Sequence, residues 1–218
     1  MKSICLLSRR PGSMRESFRD YYETRHSRLG AKYFPFRKYV RNHVLTADRE
    51  LDFDVITEFW FDDDFSGPGE LMAGRIGVIM SLDERNFMDQ SLIRPVAVQE
   101  ILLAGSPREV AAPGTRRQML MASPPPGQEA AFEESIRRWG LELSVRSGVS
   151  RVSLDRIQNA WAGGPSRFPA AALLSVWLRG EAPAIAVEAP AGVALGASVL
   201  TAVCETPTEA LRGLYSPD

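Results

Sequence analysis

Apolar and polar positions along this chain alternate between two periods, and the changes of period predict its elements. Residues 2–8 are a short apolar run and read as a strand. Arg-Pro-Gly-Ser at 10–13 breaks it. From 13 to 30 the period is helical. Phe18, Tyr22 and Leu29 share a face, and His26 stands among them at i+4 and i+3 spacing. Ser13, with Glu16 three residues on, predicts a capping box. Alternation returns at 39–45, with Tyr39, Arg41 and His43 against Val40, Asn42 and Val44. It returns again at 53–61, with Phe53, Val55, Thr57, Phe59 and Phe61 against Asp54, Ile56, Glu58 and Trp60. The polar stretch 46–52 joins these two strands as a hairpin. DDDFSGPGE (62–70) reads as a loop. Residues 70–80 read as a second helix with Leu71, Ile76 and Ile79 for a core, and 83–89 as a further helical turn N-capped by Asp83. A fourth strand spans 96–103. The first half is thus βαββαβ, the ferredoxin-like plan.

After a Pro/Gly-bearing linker the pattern restarts faintly. Strands are predicted at 117–122, 149–157, 171–178 and 197–204. A helix at 130–143 carries Phe132, Ile136, Trp139 and Leu143. AWAGGPS (160–166) reads as a loop, and the Ala/Pro/Gly-rich stretch 181–195 is too poor in large apolar residues for a second helix. The expected organisation is a first half at 1–106, a linker at 107–115 and a degenerate second half at 116–218. A four-stranded sheet covered on one face leaves the other bare, and burying apolar area gains about 25 cal/mol per Å². The α+β fold expected is therefore two ferredoxin-like halves with antiparallel sheets closing on each other as an intramolecular barrel. This pseudo-dimer leaves room for a further homodimer.

Composition narrows the partners. With 218 residues, 44% hydrophobic and 24% charged, the chain has the make-up of an ordinary folded protein. A net charge of −1 gives no general attraction to nucleic acid or anionic membrane. No apolar run reaches the ~20 residues of a membrane span, and the N-terminal run is too short for a signal peptide. A cytoplasmic protein is expected. Cys5 and Cys204 lie in strand-like runs and read as buried thiols.

The stretch RRPGSMRESFRDYYETRH after a short strand, then Phe-Pro and a YVRNH strand, resembles the EthD family. FDVITEFWF, DERNFMDQS and VAVQEI follow in that family's order, so the likeness covers residues 1 to about 106. It implies the dimeric α+β barrel superfamily, with a cavity between the first helix and the sheet in which a helix histidine recurs. Superfamily relatives carry out dehydration, cyclisation, isomerisation or cofactor-independent oxygenation, and EthD proteins also accompany oxygenase pathways without a settled catalytic role.

Two histidines carry most of the candidate chemistry. His26 on an apolar stripe is either a pocket base or a structural histidine satisfied by a carbonyl or Tyr22. His43 shares its face with Tyr39 and Arg41, and reads more readily as a solvated or interface strand than as a site. Tyr22 and Asn42 are candidate hydrogen-bonders to a ligand oxygen. Phe18, Tyr39 and Trp60 are candidate pocket walls. Asp54 and Glu58, four apart on a strand, stand about 13 Å apart, too far to share a proton. They more readily pair with Arg37, Arg41 or Arg94. No CxxC, HxxxH or compact carboxylate-histidine spacing predicts a metal, and no cofactor is expected. The expected function is a cofactor-independent enzyme with His26 as its base. Its substrate would be a small, hydrophobic, oxygenated molecule of aromatic or polyketide-like type, changed by proton transfer beside a carbonyl. The alternative is a non-catalytic accessory or ligand-binding protein of a catabolic oxidation pathway.

Overall fold

A computed structural model describes residues 1–65, 67, 69–107, 110–160, 167–180 and 182–217. Apart from Ala160, the AWAGGPS loop lies outside the described residues. So do residues 66 and 68 of the DDDFSGPGE loop, 108 and 109 of the linker, and Glu181. The first half contains β1 (Lys2–Leu7), α1 (Arg15–Tyr21), a π-helical turn (Tyr22–His26), α2 (Ser27–Tyr33), β2 (Lys38–Ala47) and β3 (Val55–Trp60). It continues through α3 (Gly69–Ala73), α4 (Arg75–Glu84), a 3-10 turn (Gln90–Leu92) and β4 (Arg94–Ala104). The second half adds β5 (Arg116–Ser123), α5 (Glu129–Ser144), β6 (Val149–Ala160), β7 (Ala172–Leu178), β8 (Ala194–Thr206) and α6 (Thr208–Leu214).

The strands form one closed antiparallel barrel in the order β1-β3-β2-β8-β5-β7-β6-β4. The seams where the two halves meet are β2 with β8 and β4 with β6. Closure removes the exposed edges that an open sheet must protect. No helix among the described residues is long and apolar enough to cross a membrane.

Strand parity divides side chains between separate cores. Ile4 and Leu6 pack inside the barrel with Ile56, Val96, Met119 and Val199. Cys5 and Leu7 point the other way, into a cluster with Phe18, Tyr22, Val55 and Met80. On the far flank Leu154 and Leu174 pack with Ile136 and Trp139 of α5. The expected faces of β3 hold except for Phe53, which precedes the strand and packs inside the barrel with Ile56.

Three local expectations change. The capping box does not form: Met14 occupies the N-cap with no side-chain cap, and Ser13 Oγ donates instead to the Arg10 carbonyl at 2.6 Å. The second helix is two helices, α3 and α4, folded at Gly74. Gly77 is required for that fold, because a Cβ there would lie 1.8 Å from the Met72 carbonyl oxygen. Finally, α6 had no counterpart in the expected elements. It packs back on α2, with Leu211 buried in the first-half cluster and Ser216 N–H donating to the Lys32 carbonyl.

One end of the barrel interior is ionic. The Arg117 guanidinium makes a two-pronged pair with Glu58 at 2.7 and 2.8 Å, and both side chains are buried. Lys2 Nζ lies 2.7 Å from Asp155 and 3.4 Å from Glu58. Arg117 stacks over Trp177 and Lys2 over Trp60. Burial opposes ionisation of Glu58, yet Arg117 and Lys2 hold it below the usual carboxylate range, while burial raises Asp155. Removing one partner strands the other's charge away from water. Arg117→Met should therefore cost about 3–5 kcal/mol in urea unfolding; a loss below about 1 kcal/mol would show that the pair does not hold the barrel together.

Candidate active site

The segment from α1 to α2 is one helix interrupted by the π turn. Ser27 N–H donates to the Tyr22 carbonyl, five residues back. Two hydroxyls bond to nearby carbonyls: Thr24 Oγ1 donates to Asp20 O at 2.7 Å and Ser27 Oγ to Glu23 O at 2.9 Å. The extra residue in the turn brings Tyr22, Glu23 and His26 all toward the sheet. Tyr22 is fully buried and His26 nearly so.

Between this helix, α3, α4 and the sheet lies a cavity of about 410 Å³. Part of its wall is aromatic: Phe36, Tyr39 and Phe59 cluster with ring centroids 4.8, 5.1 and 5.2 Å apart. Met72, Met80 and Met88 supply deformable apolar lining. The polar residues are few: Ser3, Tyr22, His26, Tyr39, Glu84 and Gln90. Such a space, apolar with a handful of placed polar groups, suits a small hydrophobic molecule.

His26 Nδ1 lies 2.7 Å from Asp83 Oδ2. The Tyr21 hydroxyl donates to the other Asp83 oxygen at 2.9 Å. Burial raises the Asp83 carboxyl, but the bonds from His26 and Tyr21 outweigh it and hold the group below its ordinary range. A charged Asp83 accepts from the Nδ1–H of His26, so Nε2 is the ring nitrogen left for proton transfer. Tyr22 Oη and Thr57 Oγ1 are 2.9 Å apart, and Tyr39 Oη donates to Tyr22 Oη at 3.2 Å. Burial raises both phenols, so they stay neutral.

A second cluster lies on the same helix. Glu23 accepts from Arg41 Nη2 at 2.7 Å and lies 2.6 Å from His43 Nε2. His43 is therefore buried against the helix rather than solvated, because its parity with Tyr39 turns it to that side. Burial lowers its pKa. Burial alone would raise Glu23; His43 and Arg41 overcome this and bring it to about 2. Glu23, His43 and Cys204 place ligand atoms within 4.8 Å of one another, a compact set that their spacing in sequence does not reveal. They do not fit a cation: Arg41 already grips the carboxylate, and Arg19 Nη2 lies 3.8 Å from the thiol sulfur. Both thiols are free; Cys5 is buried as expected, whereas Cys204 is only half-buried.

Of the residues singled out from sequence, His26, Tyr22 and Tyr39 line the cavity. Phe18 does not; it packs edge-on behind Tyr22 at 5.9 Å. Asn42 points into the barrel, where its amide donates to the Ile56 carbonyl. Trp60 faces away from the cavity and lies beneath the ammonium groups of Lys2 and Lys38. Asp54 pairs with Arg9 and Arg15, and Glu58 with Arg117, instead of with Arg37, Arg41 or Arg94. Asp83 is no N-cap: it sits in the last turn of α4 and orients His26. Glu23, Asp83 and Glu84 were missed, and the one signal for the last two is an adjacent acid pair at a helix end.

The closed barrel with its flanking helices makes this an α+β barrel protein. Residues 10–91 match the model of the EthD domain. No curated protein matches the chain. Among solved structures, a provisionally named monooxygenase from Fusobacterium nucleatum subsp. nucleatum is 8% identical, with a TM-score of 0.56 over 94% of this chain and 93% of that one. An anthrone oxidase-like protein is 14% identical, with a TM-score of 0.56 over 93% and 90%. A provisionally named chlorite dismutase is 9% identical, with a TM-score of 0.50 over 97% of both. At these identities the likeness is one of fold.

Glu23 sets the acid behaviour of this face. Its folded pKa, about 2, lies below the ordinary 4.5. The stabilisation is thus complete above pH 4.5 and is lost as pH falls through the folded value, at most about 3 kcal/mol. Glu23→Gln should flatten that loss in urea unfolding measured from pH 2 to 6. An unchanged slope would show that Glu23 is not the linked group.

Proposed function

We propose that this chain is a cofactor-independent enzyme that moves a proton beside the carbonyl of a small aromatic or polyketide-like molecule. The observation that carries the reading is the His26–Asp83 contact of 2.7 Å at the edge of an aromatic-walled cavity. Nε2 of His26 takes the proton from the carbon next to the carbonyl. The C–H electron pair moves toward the carbonyl oxygen as an enolate. Asp83 stabilises the imidazolium that forms, and the neutral Tyr22 hydroxyl, accepting from Tyr39 and Thr57, is the donor for the enolate oxygen. The names of two fold neighbours, an anthrone oxidase-like protein and a provisional monooxygenase, suit an oxygenated aromatic substrate.

The architecture is read here as two ferredoxin-like halves, 1–106 and 116–218, folded into an internal pseudo-dimer. The matching strand orders β4-β1-β3-β2 and β8-β5-β7-β6 support this. One observation favours the accessory-protein alternative: Val78 and Leu82, four apart on α4, are exposed.

The test is hydrogen–deuterium exchange at the carbon beside the carbonyl of a tetralone in D2O, followed by mass spectrometry. His26→Ala should slow the catalysed exchange by about 100-fold or more. Asp83→Asn should slow it less, because Nε2 remains but its tautomer is no longer set. Exchange that survives His26→Ala intact would sink the assignment and leave the accessory reading.

A further inference from the structure

The cavity holds a second ionisable group that the scheme above does not use. Glu84 follows Asp83 on α4, and adjacent helical positions point about 100° apart. Asp83 therefore reaches His26 Nδ1 while Glu84, four residues after Met80, lines the cavity with it. Gln90 Nε2 donates to Glu84 Oε2 at 2.9 Å and is itself anchored on Ser81 through the carbonyl at 3.1 Å and the hydroxyl at 3.0 Å. Oε1 has no hydrogen-bond partner among the described residues.

Its electrostatic setting differs from that of the other buried acids. Glu23, Glu58 and Asp155 each have an arginine or lysine against them. No arginine or lysine pairs with Glu84 among the described residues. The titratable groups that face it are His26, the neighbouring Asp83 and, from β1, the Cys5 thiol. A carboxyl placed in an apolar cavity without a cation favours its neutral, proton-donating form.

We propose that Glu84 is the acid partner of His26, giving a proton to a substrate oxygen while His26 removes one from carbon. The proposal rests on the reading of His26 as the cavity base. It points to β-hydroxy carbonyl compounds as substrates, since hydroxide is a poor leaving group and needs a proton to depart. His26 Nε2 takes the proton beside the carbonyl, and the C–H electron pair becomes the new C=C bond. The bond to the β-oxygen breaks, its electron pair stays on oxygen, and Glu84 protonates that oxygen so that water leaves. The proton on His26 then returns to the Glu84 carboxylate through solvent. Nothing is oxidised or reduced. Burial and Asp83 raise the Glu84 pKa against the opposing effects of Gln90 and His26, which favours the protonated starting state.

The test separates the two proton transfers. Exchange beside the carbonyl of a tetralone needs the base alone. Loss of water from a β-hydroxytetralone, giving a naphthol, needs base and acid. Glu84→Gln should slow elimination about 100-fold more than it slows exchange. Glu84→Asp, which keeps a carboxyl, should recover part of the elimination. In wild type, elimination should fall as pH rises through the Glu84 pKa, and Glu84→Gln should lack that alkaline fall. Elimination untouched by Glu84→Gln, both reactions slowed equally, or wild type that exchanges without eliminating would each overturn the acid role. Exchange untouched by His26→Ala would instead overturn the base, an outcome that no Glu84 result can mimic.

Discussion

The Arg117–Glu58 pair joins the two halves through the interior of the barrel, and much else follows from it. Arg117 comes from β5 and Glu58 from β3, strands that are not neighbours in the sheet. A buried guanidinium tolerates little displacement, because any lost contact leaves a charge without water. The pair therefore fixes the register of β3, and through β3 that of β1, where Lys2 sits opposite Trp60. That register places Ile4 and Leu6 in the barrel and Cys5 and Leu7 on the helix side. A slip of one residue would exchange the faces and fill the cavity with the wrong side chains.

The two flanks of the barrel differ in how closely their helices approach. On the second flank α5 lies tight on the sheet: a Cβ on Gly140 would meet Leu103 at 2.4 Å and Leu174 at 3.0 Å. On the first flank the helix is widened at Tyr22–His26 and carries large aromatic and imidazole rings, which hold it off the strands. The space between becomes the cavity, with α3 and α4 contributing Met72 and Met80 to its lining. The π turn thus does two jobs. It brings His26 to the cavity and Glu23 to His43 and Arg41, so one irregular turn serves both the proposed chemistry and the ion pairing that anchors the helix.

Within the first flank, adjacent acids serve different ends. Asp83 is committed to His26 and Tyr21, and Glu84 to Gln90 alone. One carboxyl is held below its ordinary range and the other is raised above it, by surroundings rather than by residue type.

By itself the sequence determined what depends on neighbours along the chain. The order of strands and helices, the faces of β2 and β3, and His26 beside Tyr22 on the inward stripe all follow from periods of two and near four. Periodicity says which residues share a face, but not which distant face they meet. Asn42 was assigned to the cavity side and in fact enters the barrel, because nothing local says whether the Tyr39 face or the Val40 face meets the helix. Asp83 reads locally as a cap and becomes the partner of His26, 57 residues away, only when α4 lies beside the π turn. Glu58 finds Arg117 at a separation of 59 residues, Glu23 finds His43 at 20, and α6 returns to a helix of the other half. The π turn escaped because the residues within and beside it, Thr24 and Ser27 among them, are ordinary helix residues whose hydroxyl bonds to the carbonyls behind them appear only in the structure. Tertiary structure decided these contacts, since burial makes each charge pair with whatever cation the fold brings within reach.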